Sequence, residues 1–260
     1  MAIDRNLAET FYPEAHFGGF TRTDGTMAFY QRVNALITPS SVVLDIGCGR
    51  GEYAEDQVAS RRELRCLRGK CAAVIGIDRD SAAISNPCID EFRAVDGEDW
   101  PLDCETVDLC LIDNVLEHVD DPDRFFDECF RVLRPGASSC VRTPNSLGYA
   151  TFMARLIPNS AHSAVLARVQ RTRQAVDIFP TLYRCNSPRR LRKTLVRHGF
   201  KGFVFGHGPE PAYLGFSTFA FALGVAWAAV APSTLQGTLF AFAQRQSRTT
   251  MPRTYGGSGI

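Results

Sequence analysis

The 260-residue chain is short of net charge, with 29 basic side chains against 28 acidic ones and a formal balance of +1. So even a balance projects no global field that would gather nucleic acid, and any electrostatic preference must come from local clusters. The chain also lacks the interleaved basic and aromatic residues on which single-stranded nucleic acid stacks, so no nucleic-acid partner is expected. None of the nine cysteines falls in a Cys-x-x-Cys pair, and their number is odd. Cys48, Cys110 and Cys140 sit in apolar runs or a glycine-rich turn. This argues for reduced, buried thiols and against a disulfide framework or a metal site. Met1–Arg5 shows no basic region followed by an apolar run, so no secretory signal is read and a cytoplasmic protein is expected. Internal repeats are absent. Most unusual is the absence of any charged residue from Pro211 to Gln244.

What is present is 45% apolar content, ample for one large core. The organising stretch is Val42-Val43-Leu44-Asp45-Ile46-Gly47-Cys48-Gly49-Arg50-Gly51, a β-branched run leading into three glycines at alternate positions. It reads as a strand entering a tight turn whose backbone a ligand approaches closely. The spacing differs from the Gly-x-Gly-x-x-Gly of dinucleotide sites, since position 52 is Glu. A second strand, Val74-Ile75-Gly76-Ile77-Asp78, ends on a carboxylate that can accept both hydroxyls of a ribose.

Further segments follow in order: Phe92-Arg93-Ala94-Val95-Asp96-Gly97, then Val107-Asp108-Leu109-Cys110-Leu111-Ile112-Asp113-Asn114-Val115-Leu116-Glu117-His118-Val119, then Leu133-Arg134-Pro135-Gly136 at the end of a helix. Together with the glycine turn and Asp78, they resemble the ordered motifs of class I S-adenosylmethionine (SAM) dependent methyltransferases, in the branch of small-molecule and quinone O-methyltransferases. The resemblance implies an α/β fold: a Rossmann-like, seven-stranded, mostly parallel sheet with an antiparallel last strand and helices on both faces. It implies SAM as cofactor. Gly47, Cys48 and Gly49 would meet the methionine portion, Asp45 would support their turn, and Asp78 with Arg79 would lie at the ribose. Asp96 and Gly97 would face the adenine, and Asn114 would sit by the sulfonium.

Two histidines are candidate catalytic bases. His118 follows the fourth strand, although the same triplet also admits a purely structural reading. His162 resembles a histidine ahead of an Asp-x-Phe/Tyr stretch in quinone O-methyltransferases, here Asp177-Ile178-Phe179, at a longer separation. After the fourth strand the chain reads Asp113-Asn114-Val115-Leu116, not the Asp/Asn-Pro-Pro-Tyr/Phe of DNA amino-methylating enzymes, which disfavours base N-methylation.

Around these motifs, residues 1–40 read as an N-terminal cap with a helix capped by Thr23. Glu52 to Leu67 reads as a single crossover helix, Asp80 as the cap of a short one ended by Pro87, and Ile89 to Val95 as strand three. Asp121-Pro122 opens a helix whose Phe125, Phe126, Cys129, Phe130 and Leu133 repeat at core-facing spacing. The methyltransferase domain is expected to span 41–245, with a variable substrate cap at 145–186, an apolar helical insertion at 207–234 and a disordered tail at 246–260. A helix from Ser187-Pro188 to His198-Gly199 precedes a parallel strand at Phe200–Phe205, and Leu235 to Ala243 supplies the last strand.

The basic region 168–197 and the uncharged helix 213–231 suggest peripheral contact with the inner face of a membrane. The helix is expected to lie buried or on the membrane surface, because a true span would strand the last β-strand across the bilayer from its partners. The expected acceptor is a small or lipid-linked molecule methylated at oxygen. Two competing readings are an NAD-dependent oxidoreductase or epimerase, and a non-catalytic, membrane-attached SAM-binding protein.

Overall fold

The computed structural model describes residues 5–97, 99–149 and 180–247. His162, most of the 145–186 cap, Arg168 to Asp177 and the tail from 248 lie outside the described residues. Seven strands form one sheet in the order β3-β2-β1-β4-β5-β7-β6. They are β1 (Val42–Ile46), β2 (Ala73–Asp78), β3 (Glu91–Ala94), β4 (Val107–Asp113), β5 (Leu133–Pro144), β6 (Phe200–His207) and β7 (Thr238–Arg245). Strand β7 runs antiparallel to both neighbours, β5 and β6, while β1 to β5 pair in parallel. Strand β6 therefore points the same way as β1 to β5, and all six deliver their carboxyl ends to one rim.

Side chains on successive strand residues face opposite sides. Leu44 and Ile46 join the core under α4 (Pro122–Val132) and α5 (Pro188–Arg197), with Phe126, Cys129, Leu191 and Leu195. Val43 joins the opposite core under α2 (Gly25–Leu36), with Phe29, Tyr30 and Val33. The stripe predicted for α4 holds: Phe126 and Cys129 are fully buried, and Phe125 and Phe130 pack against the same core. A third, small cluster joins the N-terminal cap, through Leu7 and Phe11 of α1 (Arg5–Phe11) and Tyr12 just after it, to Phe221 of α6 (Thr218–Val230).

Several local expectations are corrected. The crossover after the glycine turn is not one helix but a 3-10 turn over Glu52–Glu55 followed by α3 (Ala59–Arg65). Asp56 breaks it: its backbone is extended, and its carboxylate accepts from the Val58 amide (2.9 Å) and pairs with Arg61 (2.5 Å). The cap of α2 is Asp24, not Thr23, because its carboxylate accepts the free amides of Thr26 and Met27 at 2.8 and 2.9 Å, relieving two orphan donors. Helix α1 was not foreseen.

Strand three is confined to Glu91–Ala94, and the last strand is displaced to Thr238–Arg245. Leu133-Arg134-Pro135-Gly136 stands at the end of α4, with the Leu133 amide donating to the Cys129 carbonyl as the C-cap, and the same four residues open β5. Leu133 already pairs with Val107, and the register then slips so that Leu109 meets Ser138. Proline, with no amide hydrogen, and Gly136 at φ 83° make that opening stretch of β5 irregular.

Candidate active site

The chain leaves β1 through Gly47, Gly49 and Gly51, all left-handed with φ of 66°, 55° and 75°. At Gly47 a Cβ would also lie 2.6 Å from Val115, so no larger residue fits. The turn is lashed to β2: Gly47 and Cys48 amides donate to the Ile77 carbonyl (2.8 and 3.3 Å), and the Gly49 amide donates to the Asp78 carboxylate (2.9 Å). The other Asp78 oxygen accepts from the Asp80 amide at 2.9 Å. Asn86, fully enclosed after the Asp80-capped 3-10 turn, donates to the carbonyls of Cys48 (2.9 Å) and Gly49 (3.2 Å). Arg50 is held outward by Asp80. The turn is thus rigid before any ligand arrives.

Cys48 contributes only backbone to this surface. Its side chain is buried against Gly76, where a Cβ would approach the sulfur to 2.7 Å, and burial pushes its thiol well up. Around Gly49, by contrast, a Cβ would find nothing within 4 Å, and the same holds at Gly97. Asp96 and Gly97 are exposed directly after β3, Arg79 is exposed directly after β2, and Asn114 is exposed directly after β4. The carboxyl ends of β1, β2, β3 and β4 therefore bring Gly49, Asp78, Asp96 and Asn114 to one rim, with open space over two glycines. That donor set and that space fit a nucleoside bearing a polar chain.

Beneath the rim lies a buried ionic network that sequence reasoning missed. Arg142 on β5 and Asp113 at the end of β4 form a bidentate pair at 2.5 and 2.6 Å, and both side chains are only 9% exposed. Tyr30 of α2 donates to the same carboxylate at 2.8 Å, and Arg142 also donates to Thr26 at 2.7 Å. Asp113 in turn accepts from the Asn114 amide group at 3.0 Å, holding a residue whose φ of 56° is rare for a side chain other than glycine. Burial pushes the Asp113 carboxyl up, but Arg142, then Arg65 and Tyr30, hold it below the usual range. Asp45 lacks such a guanidinium clamp. Burial and the Asp113 charge push it up to about 7, only partly offset by Arg65. An arginine in the middle of the apolar run Cys140-Val141-Arg142-Thr143 was the available signal, since a charge there demands a buried partner.

Of the two candidate bases, His118 is described. It lies in the 3-10 turn Leu116–His118, half-buried, with Nδ1 3.0 Å from the Pro180 carbonyl and Nε2 4.0 Å from Glu117. A carbonyl only accepts, so Nδ1 carries the hydrogen and the basic lone pair is on Nε2. Glu117 is buried, accepts from Thr143 at 2.9 Å, and is pushed toward the neutral form by that burial. A second unforeseen carboxyl is Glu210, on the segment leaving β6. It accepts from the Thr21 hydroxyl, and burial raises its pKa.

Two expectations follow. Arg142→Met strips the buried Asp113 of its bidentate partner and leaves it the more distant Arg65 at 3.8 Å and the Tyr30 hydroxyl, and urea denaturation should show a loss of about 3–5 kcal/mol, much of it recovered in Arg142→Met/Asp113→Asn. For Asp45, the folded pKa lies above the ordinary 3.8, so the folded state holds the extra proton. Stability is then lost as pH rises from about 4 to about 7 and is level above that. Asp45→Asn should gain on the parent by up to about 1.4 kcal/mol per pH unit between pH 5 and 7. A difference that stays flat across that range would show that Asp45 is ionised throughout.

Residues 44–141 match the family described as a methyltransferase domain. A "probable S-adenosylmethionine-dependent methyltransferase" of Mycolicibacterium smegmatis is 36% identical over 115 residues, 42% of this chain and 40% of that protein. A ubiquinone biosynthesis O-methyltransferase of Mesorhizobium japonicum is 34% identical over 130 residues, 46% of this chain and 51% of that protein. The chain thus spans about half the length of these curated relatives. The crystal structure of a SAM-dependent methyltransferase from Archaeoglobus fulgidus shares the fold at TM-score 0.51 and 17% identity, covering 89% of this chain and 97% of that one. With the strand order, the left-handed glycine turn and the carboxylate ending β2, these matches place the domain built on residues 44–141 in the class I S-adenosylmethionine-dependent methyltransferase family.

Proposed function

We propose that the protein transfers a methyl group from SAM to an oxygen of a small or lipid-linked acceptor. The observation that carries this reading is the prebuilt rim: a rigid turn with open space over Gly49, beside the Asp78 carboxylate and the oriented Asn114. When bound, SAM supplies a methyl group on a sulfonium, already a competent electrophile. The protein's task is then to hold donor and acceptor in line and exclude water, and positioning of that kind contributes about 7–11 kcal/mol. Asp78 would bind the ribose, Asp96 the adenine side, and Asn114, steadied by Asp113, would orient the reacting end. Transfer to a hydroxyl releases one proton, and in this reading His118 would take it. The likeness to a ubiquinone biosynthesis O-methyltransferase supports oxygen as the acceptor atom. Glu at position 52, where a dinucleotide site has its third glycine, counts against the oxidoreductase alternative.

Calorimetry should show binding of SAM and of its demethylated product, with Asp78→Ala weakening both by about 2–4 kcal/mol. Unchanged affinity would remove Asp78 from the site. Once an acceptor is in hand, His118→Ala should lower the methylation rate while leaving SAM affinity intact. A full rate across pH would show that the acceptor loses its proton without His118.

A further inference from the structure

Helix α6, Thr-Phe-Ala-Phe-Ala-Leu-Gly-Val-Ala-Trp-Ala-Ala-Val, is apolar around its whole circumference. Such a helix ordinarily lies inside a core or in lipid. Here only Phe221 and Gly224 are buried, with Phe221 seated on Phe11 and Tyr12 of the N-terminal cap at ring distances of 5.2 and 6.4 Å. Phe219, Leu223, Trp227 and Val230 recur at helical spacing on the outer side, and Phe219 and Val230 are 74% and 78% exposed. Phe216, just ahead of the helix, is 77% exposed. Contiguous apolar surface of this kind on one helix marks a contact face.

Charges on the same rim bear on what this face contacts. Strand β6 is parallel to β5, so the segment carrying α6 leaves from the rim where β5 also ends. Helix α5 starts at that rim: the Ser146 amide donates to the Asn186 carbonyl (2.7 Å), and the Asn186 side chain donates to Thr143 (2.6 Å) at the end of β5. Arg189 and Arg190 therefore stand, exposed, in the first turn of α5 on the rim side. Cations there oppose the positive end of the helix dipole, and that turn contains no acidic residue to offset them. Among the described residues neither arginine has an acidic partner. An external anion would relieve both.

We propose that α6 lies in the interface of a lipid bilayer with anionic headgroups, its outer face in the acyl boundary and Arg189 and Arg190 on the headgroup phosphates. The helix lies in the surface and does not cross it. Its 13 residues extend about 20 Å, against about 30 Å of hydrocarbon, and no described helix is long and apolar enough to cross a membrane. This goes beyond methyl transfer and does not require it, and the placement sets the acceptor side of the rim against the membrane.

Flotation of the full-length protein tests it, using vesicles of phosphatidylcholine with or without phosphatidylglycerol. The protein should float with the anionic vesicles at low salt and much less with phosphatidylcholine alone or at high salt. The emission of Trp227 should shift to the blue on binding, since Trp100 is already buried. Phe219→Ser/Leu223→Ser should reduce the vesicle-bound fraction by an order of magnitude while keeping the parent thermal transition and SAM affinity. Arg189→Glu/Arg190→Glu should remove the preference for anionic lipid. The proposal falls if the parent protein stays at the bottom of the gradient with anionic vesicles at low salt, or if the serine variant floats equally well. It falls too if light scattering gives a dimer that the serine variant dissolves, because the face then belongs to a second copy. Loss of flotation with intact calorimetric binding of SAM separates failure here from failure of the methyltransferase reading.

Discussion

A carboxylate and a guanidinium, Asp113 and Arg142, face each other across adjacent strands with almost no water around them. A buried pair of this kind costs several kcal/mol per ion to desolvate and repays it only with near-ideal geometry and extra hydrogen bonds. Those bonds are where the rest of the site is tied in. Tyr30 and Thr26 bring α2 down onto the carboxyl ends of β4 and β5, and Asn114 hangs from the same carboxylate. The pair therefore ties α2 and Asn114 to the carboxyl ends of β4 and β5.

The second constraint is directional. Because six of the seven strands point the same way, every loop that follows β1, β2, β3, β4, β5 and β6 is delivered to one edge of the sheet. The glycine turn, Asp78, Asp96 and Asn114 collect over β1 to β4. The Glu117–His118 turn and the segment carrying α6 leave from the ends of β4 and β6 on the same rim. In open α/β sheets this rim is where ligands sit, so the apolar helix and the two rim arginines are neighbours of the chemistry by topology.

The glycine turn and the carboxylate ending β2 were legible because their residues are constrained by backbone geometry. Left-handed glycines in alternation, and a carboxylate at a strand end whose oxygens cap the turn's own amides, leave few other residue choices, and the pattern appears in a short window. The network beneath was not legible, because Tyr30, Arg65, Asp113 and Arg142 are scattered over more than a hundred positions and only the pairing of β4 with β5 makes them neighbours. Local errors had local causes. Asp56 and Asp24 outcompeted the helix boundaries read from apolar spacing, because a short carboxylate can satisfy backbone amides better than an interior helical turn can.

By itself, the sequence determined the strand-turn-strand unit from Val42 to Asp78, the sheet that grows from it and the chemical class of its ligand. Each depends on contacts within a few residues or on periodic burial. Tertiary structure decided which carboxylates are dry, that Asp45 is pushed toward neutrality while Asp113 keeps its charge, and that Cys48 faces the core. It also decided that α6 turns only Phe221 and Gly224 inward. Those outcomes depend on desolvation and on partners remote in sequence, which no reading of spacing along the chain contains.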